Sequence, residues 1–233
     1  MSIVSGRDNA THDRSAEDES SPASALGRRG RGRPKRASDT EQAAAIARRA
    51  RDLFLEKGYA RTTMEDIVAR CRISKSTLYR LFPNKTEVFG AVIDEHRQAM
   101  LALPGDYDDL PIDEALARIF RVEIDDEANH ERMALIRFVL VEAREFPELR
   151  AQLRERGVDR SRHELARWLD GQRAQGRIDL KNADDAAKAL MDLMLGAIVM
   201  KPHDEDQPWP ERQERIRYLR NCISMFTRGL LPR

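Results

Sequence analysis

The stretch that decides the fold runs from residue 62 to residue 85 and reads TTMEDIVARCRISKSTLYRLFPNK. Thr62 precedes Glu65 by three residues, which is the spacing of a capping box and predicts the start of a short helix. Ser74 can cap a second short helix, and Pro83 ends it because the residue before a proline avoids helical backbone angles. Two short helices joined by a tight turn predict a helix-turn-helix, whose second helix fits the major groove of DNA.

The residues that follow predict a third helix. Asn84 and Glu87 repeat the capping-box spacing and open a helix that runs to about Leu101. Short helices with tight turns also occur in ordinary bundles. The bare pattern therefore leaves two interpretations open, a DNA-binding unit and a purely structural bundle.

Residues 46–93 resemble the DNA-binding domain of TetR-type transcriptional regulators. The resemblance is most specific in Thr77-Leu78-Tyr79, which is followed by Phe82-Pro83 and Lys85. It implies an all-α fold, in which a three-helix helix-turn-helix domain precedes a larger helical domain that binds a ligand and dimerises. Further matching positions are Ile46, Ala50, Phe54, Gly58-Tyr59, Thr62-Thr63, Ile67-Val68-Ala69, Ser74-Lys75 and Phe89.

The resemblance also implies roles for single residues of the DNA-binding face. Thr62 or Thr63, at the start of the second helix, is expected to contact a phosphate, because N–H groups and the helix dipole favour anions there. The expected further phosphate anchors are Tyr79 and Lys85. The expected base-reading side chains are Lys75, Ser76, Thr77 and Arg80.

Three positions depart from the family pattern. Cys71-Arg72 replaces an Ala-Gly pair that is usual in the turn, so a residue other than glycine is expected to adopt a strained turn conformation. Ser76 stands where glycine is common. Leu81 stands where an aromatic residue or histidine is common, and it cannot donate to a phosphate. These departures limit any prediction of the operator sequence and leave the predicted fold intact.

A basic arm precedes the DNA-binding domain. Residues 28–36 read RRGRGRPKR and hold six basic side chains in nine positions. Arg31 and Arg33 flank a glycine as in the core of an AT-hook, in which two arginines enter the narrow minor groove of A·T-rich DNA. The alternative is a solvated basic tail that adds only non-specific attraction to phosphates.

Charge divides the chain into three parts. Residues 28–90 carry 16 basic and 7 acidic side chains, whereas residues 91–233 carry 23 basic and 28 acidic ones. The basic part coincides with the predicted DNA reader. Residues 1–27 are rich in Ser, Asp, Glu and Ala and are expected to be disordered. We therefore predict a tail at 1–37, a DNA-binding domain at 38–92 and an effector-binding and dimerisation domain at 93–233.

Composition argues against an enzyme and against a membrane protein. The five histidines show no metal-ligand spacing with Cys or carboxylates, and no catalytic or nucleotide-binding motif is found, so neither a metal nor a cofactor is predicted. No segment has the length of a membrane span, and the N-terminus lacks the apolar core of a signal peptide. Cys71 and Cys222 lie in separate predicted domains and fit a reducing compartment. We expect a bacterial cytoplasmic, nucleoid-associated protein.

The larger domain is predicted to be helical throughout, with helices at 112–129, from 133 to Phe146-Pro147, and at 158–175, 184–201 and 208–230. Gly176 is a helix stop. Residues 141–157, VEAREFPELRAQLRERG, resemble the AefR-like branch of the same family, in which Phe-Pro breaks a long helix. The resemblance implies that the last two helices of two subunits pack across a two-fold axis, where Gly196 allows close approach. The alternative is a helix buried within one subunit.

The predicted function is a sequence-specific transcriptional regulator that binds double-stranded DNA as a homodimer. By family resemblance it is a repressor, released from a palindromic operator by an unidentified small-molecule effector. The alternative is an effector-independent architectural protein on A·T-rich DNA. Apolar and aromatic side chains at helical spacing are the candidates for lining an effector pocket, although such side chains also fill ordinary cores. These candidates are Phe120, Ile124, Met133, Ile136, Arg137, Leu140, Trp168 and Met194.

Overall fold

Four helices build the N-terminal part of the structure, a computed structural model that describes residues 38–199 and 211–229. The basic arm with Arg31 and Arg33 lies outside these residues, as do the predicted ends of the last two helices. Within the described residues every regular element is helical, as predicted. The first four helices are α1 (Asp39–Lys57), α2 (Met64–Cys71), α3 (Lys75–Leu81) and α4 (Lys85–Met100).

The capping box of α2 lies one residue later than predicted. Thr63, not Thr62, is the N-cap, and its hydroxyl accepts a hydrogen bond from the backbone N–H of Asp66 at 3.1 Å. The Asp66 carboxylate reaches back to the Thr63 N–H at 2.9 Å. Thr62 is buried instead, and its hydroxyl donates to the Gly58 carbonyl at 2.8 Å. The predicted pair of Thr62 and Glu65 was therefore wrong, because burial of Thr62 removes it from the helix start.

The turn between α2 and α3 uses a left-handed residue that is not glycine. Arg72 has φ 54° and ψ 47° at the C-terminal cap of α2. Cys71 beside it is buried, and Ser74 caps α3 by accepting from the Thr77 N–H at 3.1 Å. The strained turn expected from Cys71-Arg72 is confirmed.

Six further α-helices and one π-helical segment form the rest of the described chain. They are α5 (Ile112–Ile119), α6 (Asp126–Glu145), α7 (Pro147–Gln152), the π-helical segment (Leu153–Asp159), α8 (Arg160–Ala174), α9 (Ala183–Val199) and α10 (Arg212–Arg228). None of the described helices is long and apolar enough to cross a membrane.

The predicted helix at 112–129 was wrong, because two helices occupy this range. α5 ends at Ile119, and Arg121 has φ 49°, so the chain reverses there. Asp125 then caps α6 by accepting from the Ala128 N–H at 2.8 Å. The helix predicted at 158–175 also begins earlier, since the π-helical segment runs into α8 without a cap. Gly176, with φ 72°, follows α8 as predicted.

Two apolar cores meet on α6. One core holds α1 to α4 and includes Leu135, Val139 and Ala143 of α6. The other holds α5, α8, α9 and α10 and includes Met133 of the same helix. An aromatic contact reinforces the junction, since the rings of Tyr59 and Phe146 lie 5.2 Å apart at 60°. The helix-turn-helix is thus packed directly on the larger helical part.

α4 passes without a break through the predicted domain boundary at residue 92. Arg156 of the π-helical segment fastens this helix at two points, to Glu87 at 2.6 Å and to Asp94 at 2.9 Å. Between them Gly90 leaves room for the Arg156 side chain, because a Cβ there would lie 2.7 Å from Arg156 Nε. α4 therefore belongs mechanically to both parts of the molecule.

Candidate functional site

α3 presents one buried and one open face. Leu78 is fully buried and fixes the helix on the core. The predicted base-reading residues Lys75, Ser76 and Arg80 are exposed, and Thr77 is half-buried. A short helix held in this way offers a row of amino, hydroxyl and guanidinium groups to a groove of DNA.

Both cations on this face are held by acidic neighbours. Lys75 Nζ lies 3.0 Å from Glu65 Oε1, and this hydrogen bond raises the pKa of Lys75. Arg80 donates to the Asp39 carboxylate at 2.5 Å and to Gln42 at 3.2 Å. Exposed ion pairs of this kind are weak, so DNA can replace the carboxylates as the partner.

The two threonines proposed as phosphate contacts differ in position. Thr62 is only 1% exposed, so its side chain does not reach the surface. Thr63 is exposed at the start of α2, where its hydroxyl lies 2.8 Å from Asp66. Hydrogen bonds from Lys57 and then Thr63 lower the pKa of Asp66 to about 2. Of the pair, Thr63 has the position that a phosphate contact needs.

Tyr79 and Lys85 also differ. The Tyr79 side chain is 47% exposed on α3. Lys85 Nζ lies 2.6 Å from the Tyr59 carbonyl oxygen and 4.2 Å from the centre of the Tyr59 ring, and burial lowers its pKa. Lys85 therefore holds the turn before α2 in place, and a phosphate would have to share its ammonium group.

A cavity of about 360 Å³ lies between α4, α6, the π-helical segment, α8 and α9. Its volume falls within the range of small-molecule sites. Most of the wall is apolar, and the mouth carries Leu140 and Val158, which are 46% and 43% exposed. The cavity can therefore enclose an apolar small molecule.

Three of the eight predicted pocket residues line this cavity, namely Phe120, Ile136 and Leu140. Met133 and Met194 are buried in the core, and Trp168 packs against it. Ile124 and Arg137 are half-buried and lie outside the cavity lining. On α6, the cavity lining includes Ile136 and Leu140, which share one face of the helix. It leaves out Met133 and Arg137, which lie on the neighbouring faces.

Sequence reasoning missed the contribution of α4. Ile93, His96, Arg97 and Met100 line the cavity. A signal was present, because these residues continue the helical spacing of the buried residues Val88, Phe89 and Val92. His96 and Arg97 are polar side chains that follow an apolar stripe of the same helix. Such side chains indicate a buried site with polar groups in its wall.

The polar end of the cavity is rich in nitrogen groups. Arg97 is buried and forms an ion pair with Glu164 of α8, while its Nε has no hydrogen-bond partner among the described residues. The same described part of the chain offers no hydrogen-bond partner to His96 Nε2, which is also buried. Burial, followed by the charges of Arg132 and Arg51, lowers the pKa of His96 to about 4. His96 is therefore neutral at pH 7.

Comparison with known proteins places these features in one family. Residues 46–92 match the family described as bacterial regulatory proteins, tetR family. Residues 114–229 match the family described as AefR-like transcriptional repressor, C-terminal domain. The first match covers α2 and α3, and the second covers the cavity lining except for its residues on α4 and Leu101.

Two relatives from Mycobacterium tuberculosis support these matches. The HTH-type transcriptional regulator Rv1556 is 31% identical over 157 residues, which cover 67% of this chain and 73% of the relative. The HTH-type transcriptional repressor Rv3405c is 44% identical over 54 residues, which cover 23% of this chain and only 29% of that relative.

A solved structure extends the similarity to the whole fold. The flavonoid-responsive regulator FrrA is 25% identical, with a TM-score of 0.59. The superposition covers 83% of this chain and 99% of that one.

Proposed function

Because the chain belongs to the TetR family of bacterial regulatory proteins, and is thus a DNA-binding transcriptional regulator, we propose a specific cycle for it. As a homodimer, the protein binds a palindromic operator and represses transcription. A small molecule that enters the cavity releases it from the DNA. The observation that carries this proposal is that the DNA-binding part and the cavity share one helix. α4 adjoins the DNA-binding helices at Lys85 and lines the cavity at Met100.

The open face of α3 supports operator recognition. Arg80 is the candidate for reading a guanine, because a guanidinium donates two parallel hydrogen bonds to that base. Lys75, Ser76 and Thr77 are the further base-reading candidates, with Thr63, Tyr79 and Lys85 as phosphate contacts. Thr62 is not proposed as a phosphate contact, because its side chain is buried.

Exposed apolar side chains on α10 support the homodimer. Tyr218 and Met225 are 47% and 59% exposed. Their spacing of seven residues puts both on one face of the helix. A second copy of α10 would cover this face, and a two-fold pair would set two α3 helices one turn of DNA apart.

Nuclease footprinting of the full-length chain on the DNA upstream of its own gene tests the proposal. The expected result is one short, palindromic protected stretch occupied by two chains, as measured by sedimentation of the complex. Tyr79→Phe together with Arg80→Ala serves as the matched control and should abolish the footprint.

Diffuse protection of A·T-rich DNA would overturn the operator assignment. That outcome would favour an effector-independent architectural protein, in which Arg31 and Arg33 of the basic arm act in the minor groove. A stable monomer at micromolar concentration would refute the dimer.

A further inference from the structure

We propose that the effector is an amphipathic anion, whose apolar body fills the cavity and whose carboxylate lies at the His96 end, towards Arg132. This inference rests on the proposed function, since it takes the cavity to be the effector site. It adds the chemical class of the ligand and the residue that selects it.

Arg132 is a buried cation that has no anionic partner in the part of the chain that the structure describes. Its side chain lies on α6 and is 2% exposed, and its one hydrogen bond among the described residues goes to Asn129 Oδ1 at 2.7 Å. No acceptor for Arg132 Nε or Nη1 lies within residues 38–199 and 211–229. A buried charge without a partner is costly, and an arginine fork matches the two oxygens of a carboxylate.

The surroundings of Arg132 are also positive. Burial, followed by the charges of Arg215 and Arg121, lowers the pKa of Arg132 to about 10, so it stays charged at pH 7. Arg215 already has a carboxylate partner, Asp126 at 2.9 Å. Arg121 donates to the Gln98 carbonyl at 2.8 Å. Among the described residues, Arg215 thus has a carboxylate partner and Arg121 is exposed to solvent, whereas the buried Arg132 has no anion to balance its charge.

The sequence spacing along α6 connects Arg132 to the cavity. Ile136 and Leu140, which line the cavity, follow Arg132 at intervals of four residues and so share its face of the helix. Arg132 itself lies outside the cavity lining, and His96, which lines the cavity from α4, is a lining residue whose pKa the charge of Arg132 lowers. A head group that reaches His96 from the cavity thus approaches the unpartnered guanidinium.

The cavity offers an anion little repulsion. Glu164 lies behind Arg97 and is neutralised by it. Asp192 is the carboxylate among the described lining residues, but its side chain is 69% exposed and pairs with Lys188 at 3.1 Å. The exposed apolar side chains of Leu140 and Val158 at the mouth suit the tail of the ligand.

Calorimetry with three probes of equal chain length tests the proposal on the full-length protein at pH 7.4. The probes are decanoate, decan-1-ol and decylamine, which share an apolar body and differ in the head group. The wild-type protein is expected to bind decanoate roughly tenfold more tightly than decan-1-ol, and decylamine most weakly. Arg132→Met should remove this preference, and Arg132→Lys should retain part of it.

Arg144→Met is the matched control, because Arg144 is an exposed arginine of the same helix. It should bind the probes as the wild type does. Circular dichroism establishes that each variant is folded. Equal binding of decanoate and decan-1-ol, no binding of any probe, or an unchanged preference in folded Arg132→Met would overturn the proposal.

The operator assay separates this inference from the proposed function. Decanoate binding that depends on Arg132 but leaves the operator complex intact would support the anion site and refute effector release. Release of DNA by decan-1-ol but not by decanoate would support effector release and refute the anion site.

Discussion

The Glu142 carboxylate on α6 accepts a hydrogen bond from the backbone N–H of Tyr59 at 3.2 Å. These residues are 83 positions apart, and they join the turn before α2 to the helix that carries the cavity wall. The contact lies beside the Tyr59–Phe146 ring pair. It is therefore a polar link between the DNA-binding helices and the rest of the protein.

Removal of this link should weaken the junction. Glu142→Ala is expected to lower the free energy of unfolding by about 1–3 kcal/mol, because the buried N–H of Tyr59 loses its acceptor. Urea unfolding measures the change. Glu145→Ala, at an exposed position of the same helix, is the control and should leave stability nearly unchanged. Equal loss in both variants would contradict a specific role for Glu142.

Arg80 and Tyr79 should divide recognition between them. Arg80→Ala is expected to cost about 1–3 kcal/mol on the correct operator and to relax base preference, because the proposed bidentate contact with a base would be lost. Tyr79→Phe should weaken all DNA sequences alike, because a phosphate contact carries no sequence information. Gel-shift titration against a panel of single-base operator variants measures both effects. A uniform loss of affinity in both variants would refute the division.

His96 should make stability depend on pH. In the unfolded chain a histidine takes up a proton near pH 6.5, whereas folded His96 does so only at about pH 4. Between these values the unfolded state binds more protons. The free energy of unfolding therefore falls as pH falls from 6.5 to 4, by on the order of 3 kcal/mol in total, and the contribution is complete above pH 6.5.

Urea unfolding of His96→Gln at several pH values tests this dependence. The variant should lose the slope between pH 6.5 and pH 4 that the wild type shows. His163→Gln, at an exposed histidine, should retain it. A slope that survives in His96→Gln would mean that other groups cause it.

Replacement of Arg72 by glycine should stabilise the folded protein. A left-handed backbone costs an L-residue roughly 1–2 kcal/mol, whereas glycine adopts it freely and loses some of this gain through its flexible unfolded state. Arg72→Gly is therefore expected to raise the free energy of unfolding by about 0.5–1 kcal/mol in urea titrations. Arg70→Gly, in the right-handed helix just before, should instead be destabilising. A loss of stability in Arg72→Gly would show that its side chain contributes more than its backbone costs.

Periodicity predicted the buried residues of the DNA-binding unit well. Ile67 and Leu78 are buried because each is an apolar residue on the inner face of a short helix, and Phe82 is buried at the C-terminal cap of α3. The choice between Thr62 and Thr63 as the N-cap could not be made in this way. Both have an acidic residue three positions later, and the burial of Thr62 against Gly58 is a tertiary contact.

The larger part was less predictable for two physical reasons. The apolar spacing of α5 continues through Phe120 and Ile124, and the break depends on a left-handed Arg121 that no turn-forming residue announces. Cavity walls and solid cores also use the same side chains. Met133 and Ile136 are both apolar residues of α6. Of these two, Ile136 lines the cavity, whereas Met133 is packed in the core.

The length of α4 allows it to act as a lever between the cavity and the DNA-binding helices. Its 16 residues make a rod of about 24 Å at 1.5 Å per residue, with Lys85 at one end and Met100 at the other. If one end stays fixed, a tilt of about 5° displaces the other by about 2 Å over that length. That displacement is more than half of the roughly 3.4 Å between successive bases of a strand. Under the proposed function, a ligand that shifts a few side chains at Met100 would thus move Lys85 by a distance that matters on the DNA scale, and the ion pairs of Arg156 with Glu87 and Asp94 brace the helix between these ends.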